Sequence, residues 1–143
     1  MNVTDLFEDE APVIKKRGEH ILVVDDEADV REGLGKLLEM EGYDVTTAEN
    51  GLVAVERAKL QRFDLVLTDL RMPGMDGVET LMELKRLHPG MPVIVVTAYA
   101  SHETAARCER EGAYGYVMKP FDLDELLQVI EEAVPTGRGP LQS

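Results

Sequence analysis

Short apolar runs alternate along the chain with stretches in which apolar residues recur every three or four positions. The runs are rich in Val, Ile and Leu and are bounded by polar or turn-forming residues, which is typical of strands. The stretches between them have the periodicity of helices that bury one face. The predicted strands are HILVV (20–24), YDVTTAE (43–49), FDLVLT (63–68), PVIVVTA (92–98) and AYGYVMK (113–119).

The stretches between the strands carry start and stop signals of helices. Gly42 and Gly112 stand where two of the predicted helices end, in the position of a left-handed C-terminal cap. Gly33 and Gly35 lie inside the first predicted helix and weaken it by about 1 kcal/mol each relative to alanine. The predicted N-terminal capping residues are Asn50, for a helix through Leu60, Asp76 with Glu79, Ser101, and Asp122 with Glu125.

The same periodicity predicts which helical side chains face the core: Val30, Leu34, Leu37, Leu38, Val78, Leu81, Met82, Leu123, Leu126, Leu127, Ile130 and Val134. Strands that are apolar throughout are expected in a parallel sheet covered on both faces. Right-handed crossovers then give an α/β fold, a doubly wound five-stranded parallel sheet flanked by five helices. The expected domain covers 19–134, with a flexible N-terminal arm at 1–18 and a disordered C-terminal tail at 135–143.

Polar side chains follow or end four of the predicted strands. Asp25 and Asp26 follow the first strand and Asp69 the third, while Thr97 ends the fourth and Lys119 the fifth. Taken singly, each has an ordinary explanation, such as an acid at a strand end or a β-branched strand residue. Because the carboxyl ends of parallel strands meet at one edge of the sheet, we expect all of them to lie close together.

Such a cluster suits phosphoryl transfer. Close carboxylates repel one another unless a cation is present, and Mg²⁺ prefers few carboxylates and several waters, so Asp25, Asp26 and Asp69 are candidate ligands. Lys119 and Thr97 add an ammonium and a hydroxyl that hold the oxygens of a transferring phosphoryl group. Asp69 is the candidate nucleophile, because it ends the strand central to the site and lacks an adjacent acid.

Four motifs resemble those of response-regulator receiver domains, the phosphoacceptor part of two-component signalling. They are ILVVDDE (21–27), DLVLTDLRMPGMDG (64–77), VIVVTAYA (93–100) and GYVMKPFD (115–122). Each motif alone is weak. Four of them in this order, each at the end of a predicted strand, are highly specific, and the resemblance covers about residues 19–134.

The resemblance implies a role for each matched residue. Asp69 matches the phosphoacceptor, and Asp25 and Asp26 match the acidic pair that positions Mg²⁺. The backbone carbonyl of Arg71 is a further expected ligand of the ion. Thr97 matches the switch hydroxyl that moves onto the phosphoryl group.

Further roles follow from the same resemblance. Lys119 matches the lysine that binds the phosphoryl group, and Pro120 matches a position usually preceded by a cis peptide. Tyr116 matches the aromatic residue that turns inward when the switch hydroxyl moves. The side chains of Arg71 and Tyr99 flank the site, and we expect them to tune the access of hydrolytic water.

The resemblance also implies a signalling cycle. A histidine kinase or phosphotransfer protein donates a phosphoryl group in the presence of Mg²⁺, so the chain catalyses only its own phosphorylation and dephosphorylation and is not a turnover enzyme. The added charge shifts a two-state equilibrium on the face formed by the fourth helix, fifth strand and fifth helix. That face then binds a partner protein or a second copy of the chain.

The residues of the TDLRMPGMDG and VTAYAS motifs are most similar to those of receivers attached to ATPase-type transcription activators. The chain has no G-x-x-x-x-G-K-[ST] motif, and neither arm holds a DNA-binding motif. A stand-alone receiver is therefore expected rather than one excised from a larger regulator, and its output would be a protein contact.

The composition restricts the partners. The 143 residues are 44% hydrophobic, which suits one domain with a core, and the net charge of −13 repels phosphate backbones and anionic membranes. A single cysteine excludes a disulfide within the chain. We find no signal peptide and no apolar run near the roughly 20 residues of a membrane helix. We expect a cytoplasmic protein that binds neither nucleic acid nor membrane directly.

Two other classes of function are compatible with parts of this pattern. An aspartyl-nucleophile phosphatase needs a second acid two residues after the nucleophile, where this chain has Arg71, so turnover of external phosphomonoesters is not expected. A phosphorylation-independent interaction module on the same fold stays open as the alternative. It differs from a phosphoacceptor in one respect: its binding does not depend on Asp69.

Overall fold

A computed structural model describes residues 17–70, 77–98 and 101–134, and within them strands and helices alternate as predicted. The strands are β1 (His20–Val24), β2 (Asp44–Ala48), β3 (Leu65–Thr68), β4 (Val93–Thr97) and β5 (Gly115–Met118). The helices are α1 (Ala28–Met40), α2 (Gly51–Leu60), α3 (Gly77–Leu87), α4 (His102–Arg110) and α5 (Leu123–Ala133). None of these helices is long and apolar enough to cross a membrane.

The strands form one parallel sheet in the order β2-β1-β3-β4-β5. From β1 the chain crosses to β2 on one side and then returns to place β3 on the other side. The order therefore reverses between β1 and β3, and the carboxyl ends of these two strands border a crevice where sites form in such sheets. The predicted doubly wound α/β fold is confirmed.

Both faces of the sheet are covered, which explains why its central strands are apolar throughout. Successive strand residues point to opposite faces, so each strand contributes to two cores. Helices α2, α3 and α4 cover a core that includes Leu22, Val66, Val93, Leu81 and Cys108. Helices α1 and α5 cover the other, which includes Ile21, Leu67, Ile94, Leu38 and Ile130.

Two side chains predicted to face the core lie near the surface instead. Leu37 of α1 is 38% exposed and Met82 of α3 is 41% exposed. Both stand beside residues that are fully buried, Leu38 and Leu81. The apolar face of a helix has a finite width, and the neighbouring elements decide how much of that face is buried. Periodicity alone therefore predicted burial wrongly for residues at the edge of the face.

The helix ends follow the predicted signals. Asn50 Oδ1 accepts a hydrogen bond from the amide of Val53 (2.9 Å), and Ser101 Oγ accepts one from Thr104 (3.0 Å). Gly42 and Gly112 have φ values of 100° and 101°, the left-handed conformation that favours glycine at these C-terminal positions. The N-terminal caps at Asn50 and Ser101 and both glycine stops are therefore confirmed.

The cap at α5 differs in detail from the prediction. Asp122 Oδ1 accepts from the amide of Asp124 at 2.8 Å, not from Glu125, the position that a capping box uses. Asp76, the cap predicted for α3, lies outside the described residues.

Arg17, within the predicted flexible arm, is held against the domain. The Arg17 amide donates to the carbonyl of Gly42 at 3.0 Å, and its guanidinium lies 3.5 Å from a carboxylate oxygen of Glu131 on α5. The same guanidinium lies 5.1 Å from the ring centre of Tyr43, within the range of a cation–π contact. Arg17 therefore joins the end of α1 to α5, and the predicted domain bounds stay a prediction.

Gly33 in α1 lacks a packing role, unlike its neighbour Gly35. A Cβ on Gly33 would have no atom within 4 Å, whereas a Cβ on Gly35 would lie 3.4 Å from Val45 Cγ1. We expect Gly33→Ala to raise the free energy of unfolding by about 0.5–1 kcal/mol, because alanine loses less backbone entropy in a helix. Urea titration followed by circular dichroism measures this change, and a lower stability than wild type would contradict it.

Candidate functional site

Asp25 and Asp69 lie side by side at the carboxyl ends of two neighbouring strands. Each directly follows its strand, and both residues are buried, with exposed fractions of 4% and 8%. Their amides extend the sheet: the Asp25 N–H donates to Ala48 O at 3.2 Å, and the Asp69 N–H donates to Val24 O at 3.1 Å. These backbone hydrogen bonds therefore fix the Cα positions of Asp25 and Asp69 at the crevice between β1 and β3.

Lys119 joins the two carboxylates. Its Nζ lies 2.8 Å from Asp25 Oδ2 and 2.9 Å from Asp69 Oδ2. Lys119 follows β5, and its amide donates to the carbonyl of Thr97 at 2.9 Å, so the lysine is anchored to the end of β4. Asp25 precedes Lys119 by 94 positions in the chain and Asp69 precedes it by 50 positions, yet both carboxylates bind its ammonium group.

The charge balance at this ammonium favours its protonated form. Burial by itself would lower the pKa of Lys119. The hydrogen bonds and negative charges of Asp25 and Asp69 outweigh burial and raise the pKa above its ordinary value of 10.5. The lysine is therefore a fixed positive charge at neutral pH, in reach of any anionic group that enters beside Asp69.

Asp25 is further held by its own loop and by Arg31. Its Oδ1 accepts from the amide of Glu27 at 2.9 Å, and its backbone carbonyl accepts from Arg31 Nη1 at 2.8 Å. Sequence reasoning missed Arg31. One signal for this contact was available in the sequence. Arg31 lies one turn into α1, and α1 starts directly after the strand end that carries Asp25, so a long basic side chain at this position can reach back to Asp25.

Asp26 differs from the other two acids, because its side chain is exposed. In the part of the chain that the structure describes, no three His, Cys, Asp or Glu side chains are grouped closely enough to hold a metal ion. Two buried carboxylates at one edge of the crevice and a third at its surface suit Mg²⁺, which binds few protein carboxylates and keeps several waters. The donor set therefore fits a magnesium ion that is completed by water and backbone oxygens, and does not fit a closed protein cage.

Thr97 and Tyr116 lie on β4 and β5, the two strands that come after β3 in the sheet order. Thr97 ends β4 and is completely buried, and Tyr116 in β5 pairs with Val95 in the register of the sheet. The Tyr116 ring is partly buried against the core under α4. Burial, followed by the charge of Cys108, raises the pKa of Tyr116. The phenol thus stays neutral at physiological pH.

Two further expectations have different outcomes. The peptide bond between Lys119 and Pro120 is cis in the structure. Arg71 and Tyr99, the predicted tuning residues, lie outside the described residues, and so does the Arg71 carbonyl predicted to bind the metal ion. Their roles stay predictions.

Comparison with protein families decides the class of this site. The family model described as the response regulator receiver domain matches residues 21–131. The chain belongs to the response regulator receiver family. The match includes both buried acids, Thr97, Tyr116 and Lys119, so the whole site lies within the receiver, a domain of two-component signalling.

Curated relatives of this receiver are transcriptional regulators. It is 46% identical over 118 residues to the transcriptional regulatory protein ZraR of Klebsiella oxytoca, covering 82% of this chain and 27% of the relative. It is 40% identical over 114 residues to the DNA-binding transcriptional regulator NtrC of Escherichia coli K12, covering 80% and 24%. The chain thus spans about a quarter of the length of these relatives.

Solved structures show the same architecture. A CheY-like receiver domain protein from Methanospirillum hungatei is 37% identical, with a TM-score of 0.78 over 80% of this chain and 91% of the other. The response regulator TrrA from Thermotoga maritima, solved in complex with Mg²⁺ and BeF, is 38% identical. It has a TM-score of 0.75 over 81% of this chain and 99% of the other.

Proposed function

We propose that this receiver accepts a phosphoryl group on Asp69 from the phosphohistidine of a histidine kinase or phosphotransfer protein. The observation that supports the proposal best is the pair of contacts from Lys119 Nζ to Asp25 and Asp69. The pair places one carboxylate and one fixed cation around a single point at the crevice. An anionic phosphoryl group needs both, a nucleophile to attack the phosphorus and a positive charge for its oxygens.

In the transfer, an oxygen of the Asp69 carboxylate attacks the phosphorus. The new P–O bond forms as the P–N bond of the phosphohistidine breaks, and the imidazole nitrogen leaves with the bonding electrons. Lys119 exchanges its contact with Asp69 for one with a phosphoryl oxygen, while Asp25 keeps the ammonium in place. The product is an acyl phosphate on Asp69. Water then attacks its phosphorus, the P–O bond to Asp69 breaks, and inorganic phosphate leaves with the free carboxylate restored.

Mg²⁺ is the proposed cofactor, and Asp25, Asp26 and Asp69 with the backbone carbonyl of Arg71 would hold it. When bound, the ion neutralises negative charge on the phosphoryl oxygens and offsets the repulsion between carboxylates. TrrA, a structural relative in complex with Mg²⁺ and BeF, supports this proposal.

The proposed output is a change on the face made by α4, β5 and α5. Thr97 moves towards the phosphoryl group, and the space it leaves admits the Tyr116 ring from the neighbouring strand. Tyr114 and Met118 of this face are 51% and 57% exposed, so the surface offers apolar contact area to a partner protein or a second copy. We propose that phosphorylation acts by shifting the population of this face between two conformations.

The test of this function is intact-mass spectrometry of the wild-type chain after incubation with acetyl phosphate, a small acyl phosphate donor. With Mg²⁺ present, we expect a gain of one phosphoryl group, about 80 Da. With EDTA in place of Mg²⁺, we expect no gain. An unmodified chain under both conditions, repeated with a panel of phosphorylated histidine kinases, would contradict the phosphoacceptor function and favour the interaction module.

A further inference from the structure

Gly77, the first residue of α3, lies directly against the backbone of the proposed phosphoacceptor. A Cβ built on Gly77 would lie 2.3 Å from Leu70 Cα, 2.7 Å from the carbonyl oxygen of Asp69 and 2.9 Å from the carbonyl carbon of Leu70. All three are backbone atoms, which cannot rotate away as the end of a flexible side chain does. Only glycine fits this close approach without displacing one of the two backbones.

A hydrogen bond holds the contact together. The amide of Gly77 donates to the carbonyl of Leu70 at 3.0 Å. The start of α3 is therefore fastened to the residue that follows Asp69. The hydrogen bond depends on the absence of a side chain at Gly77, because the Gly77 amide reaches the Leu70 carbonyl only while the two backbones are this close.

An added side chain on Gly77 would force the start of α3 and the Asp69–Leu70 backbone apart. Val78, Leu81 and Leu84 anchor the helix in the core, and the last two of them are completely buried. Leu70 is buried as well, at 7% exposure, and the Asp69 amide donates to the carbonyl of Val24, so neither side of the contact can yield without cost. The Asp69 carboxylate accepts a hydrogen bond from Lys119 Nζ at 2.9 Å, so a shift of the Asp69 backbone turns the carboxylate relative to the ammonium.

We infer that Gly77 is a positioning residue for phosphoryl transfer: it lets the N-terminus of α3 seat against the Asp69–Leu70 backbone and so aims the Asp69 carboxylate at Lys119 and the incoming phosphorus. The inference rests on the proposed function. Misplacing a reacting group by about 1 Å reduces a reaction rate by about 10²-fold, so the site depends on this contact even though Gly77 touches no reactant.

The test compares phosphorylation rates of Gly77→Ala and wild type, per folded molecule, at a temperature where circular dichroism shows both folded. Acetyl phosphate is the donor: its P–O bond to the acetyl group breaks, a P–O bond to Asp69 forms, and acetate leaves. We expect the initial rate of Gly77→Ala at saturating Mg²⁺ to fall about 10- to 100-fold.

Two control variants separate positioning from stability. Gly33→Ala adds the same methyl group to a helical glycine that has no atom within 4 Å of the new carbon. Leu84→Val trims a completely buried side chain at the far end of α3, so it destabilises the same helix without touching Asp69. We expect both to react at the wild-type rate per folded molecule. Equal rates for Gly77→Ala and wild type would overturn the inference, and so would a loss in Leu84→Val as large as that in Gly77→Ala.

A second measurement on the wild-type chain covers the case in which Gly77→Ala does not fold or the wild type is not phosphorylated. Amide hydrogen exchange by NMR is expected to show the Gly77 and Asp69 amides opening together, with parallel responses to added denaturant. If the Gly77 amide instead exchanges as fast as that of Thr104, at the exposed start of α4, the contact does not hold Asp69. A wild type that gains no phosphoryl group contradicts the proposed function, whereas independent exchange of Gly77 contradicts the positioning role.

Discussion

Asp69→Asn is expected to lower the rate of phosphorylation at this site by at least about 10³-fold, since removing the nucleophile of a covalent step has effects of this size or larger. The amide keeps the shape of the carboxylate and can still accept a hydrogen bond from Lys119, so the fold should survive. It lacks the anionic oxygen that attacks phosphorus. Intact mass after incubation with acetyl phosphate and Mg²⁺ measures the loss, and circular dichroism checks the fold.

Asp122→Asn is the matched control for this variant. Asp122 accepts from the Asp124 amide at the start of α5, and asparagine caps helices about as well as aspartate. We expect the control to gain the same mass as wild type. If Asp69→Asn also gains this mass, another residue is the acceptor. If it gains none but keeps full partner binding and biological output, the chain is an interaction module that does not use phosphorylation.

Lys119→Met is expected to lower both stability and the rate of phosphorylation. Methionine has similar length and no charge, so Asp25 and Asp69 would face each other in a buried site without their shared cation. Breaking a buried ion pair from one side costs about 3–5 kcal/mol, and loss of one oxyanion-stabilising group lowers a rate by about 10²–10³-fold. Urea titration and the acetyl phosphate assay measure the two effects.

The pH dependence of this stabilisation follows from the direction of the shift. The pKa of Lys119 is raised above 10.5 in the folded chain, so the folded state holds this proton more tightly than the unfolded state. The contribution is fully present at neutral pH and is lost only as the pH rises above 10.5 through the raised pKa. The stability difference between wild type and Lys119→Met should therefore be constant around pH 7 and shrink only in strong alkali.

Lys85→Met provides the control, because Lys85 is also partly buried but lies away from the acids. Its Nζ donates to the carbonyl of Met91 at 2.9 Å, and burial lowers its pKa. We expect this variant to be phosphorylated at the wild-type rate.

Added Mg²⁺ should raise the stability of Lys119→Met more than that of wild type, because in the variant no ammonium group competes with the ion for the two carboxylates. An equal effect of Mg²⁺ on both would contradict the shared role of the lysine.

The fold was predictable because the strands and helices differ strongly in apolar pattern. Runs such as ILVV in β1 have no polar face, so they require a sheet covered on both sides, and this fixes the parallel arrangement. The edges of the buried helix faces were less predictable. Leu37 and Met82 are apolar and correctly spaced, but they lie beyond the area that the sheet and neighbouring helices cover.

The site was predictable as far as strand ends determine it. Asp25, Asp69, Thr97 and Lys119 each end or follow a strand, so a parallel sheet gathers them whatever the details of packing. Arg31 and Gly77 could not be found in this way. Their contributions depend on distances of about 3 Å between backbone atoms and a neighbouring element, which no spacing along the chain encodes.

The chain order of the site has a consequence for biosynthesis. A ribosome releases Asp25 and Asp69 well before Lys119, which follows the last strand, and that strand occupies an edge of the sheet. Until β5 pairs with β4, a nascent chain that has joined β1 to β3 carries two facing carboxylates without the ammonium of Lys119. If Mg²⁺ binds as proposed, we expect it to offset the repulsion between these carboxylates during translation, before the chain carries any signal.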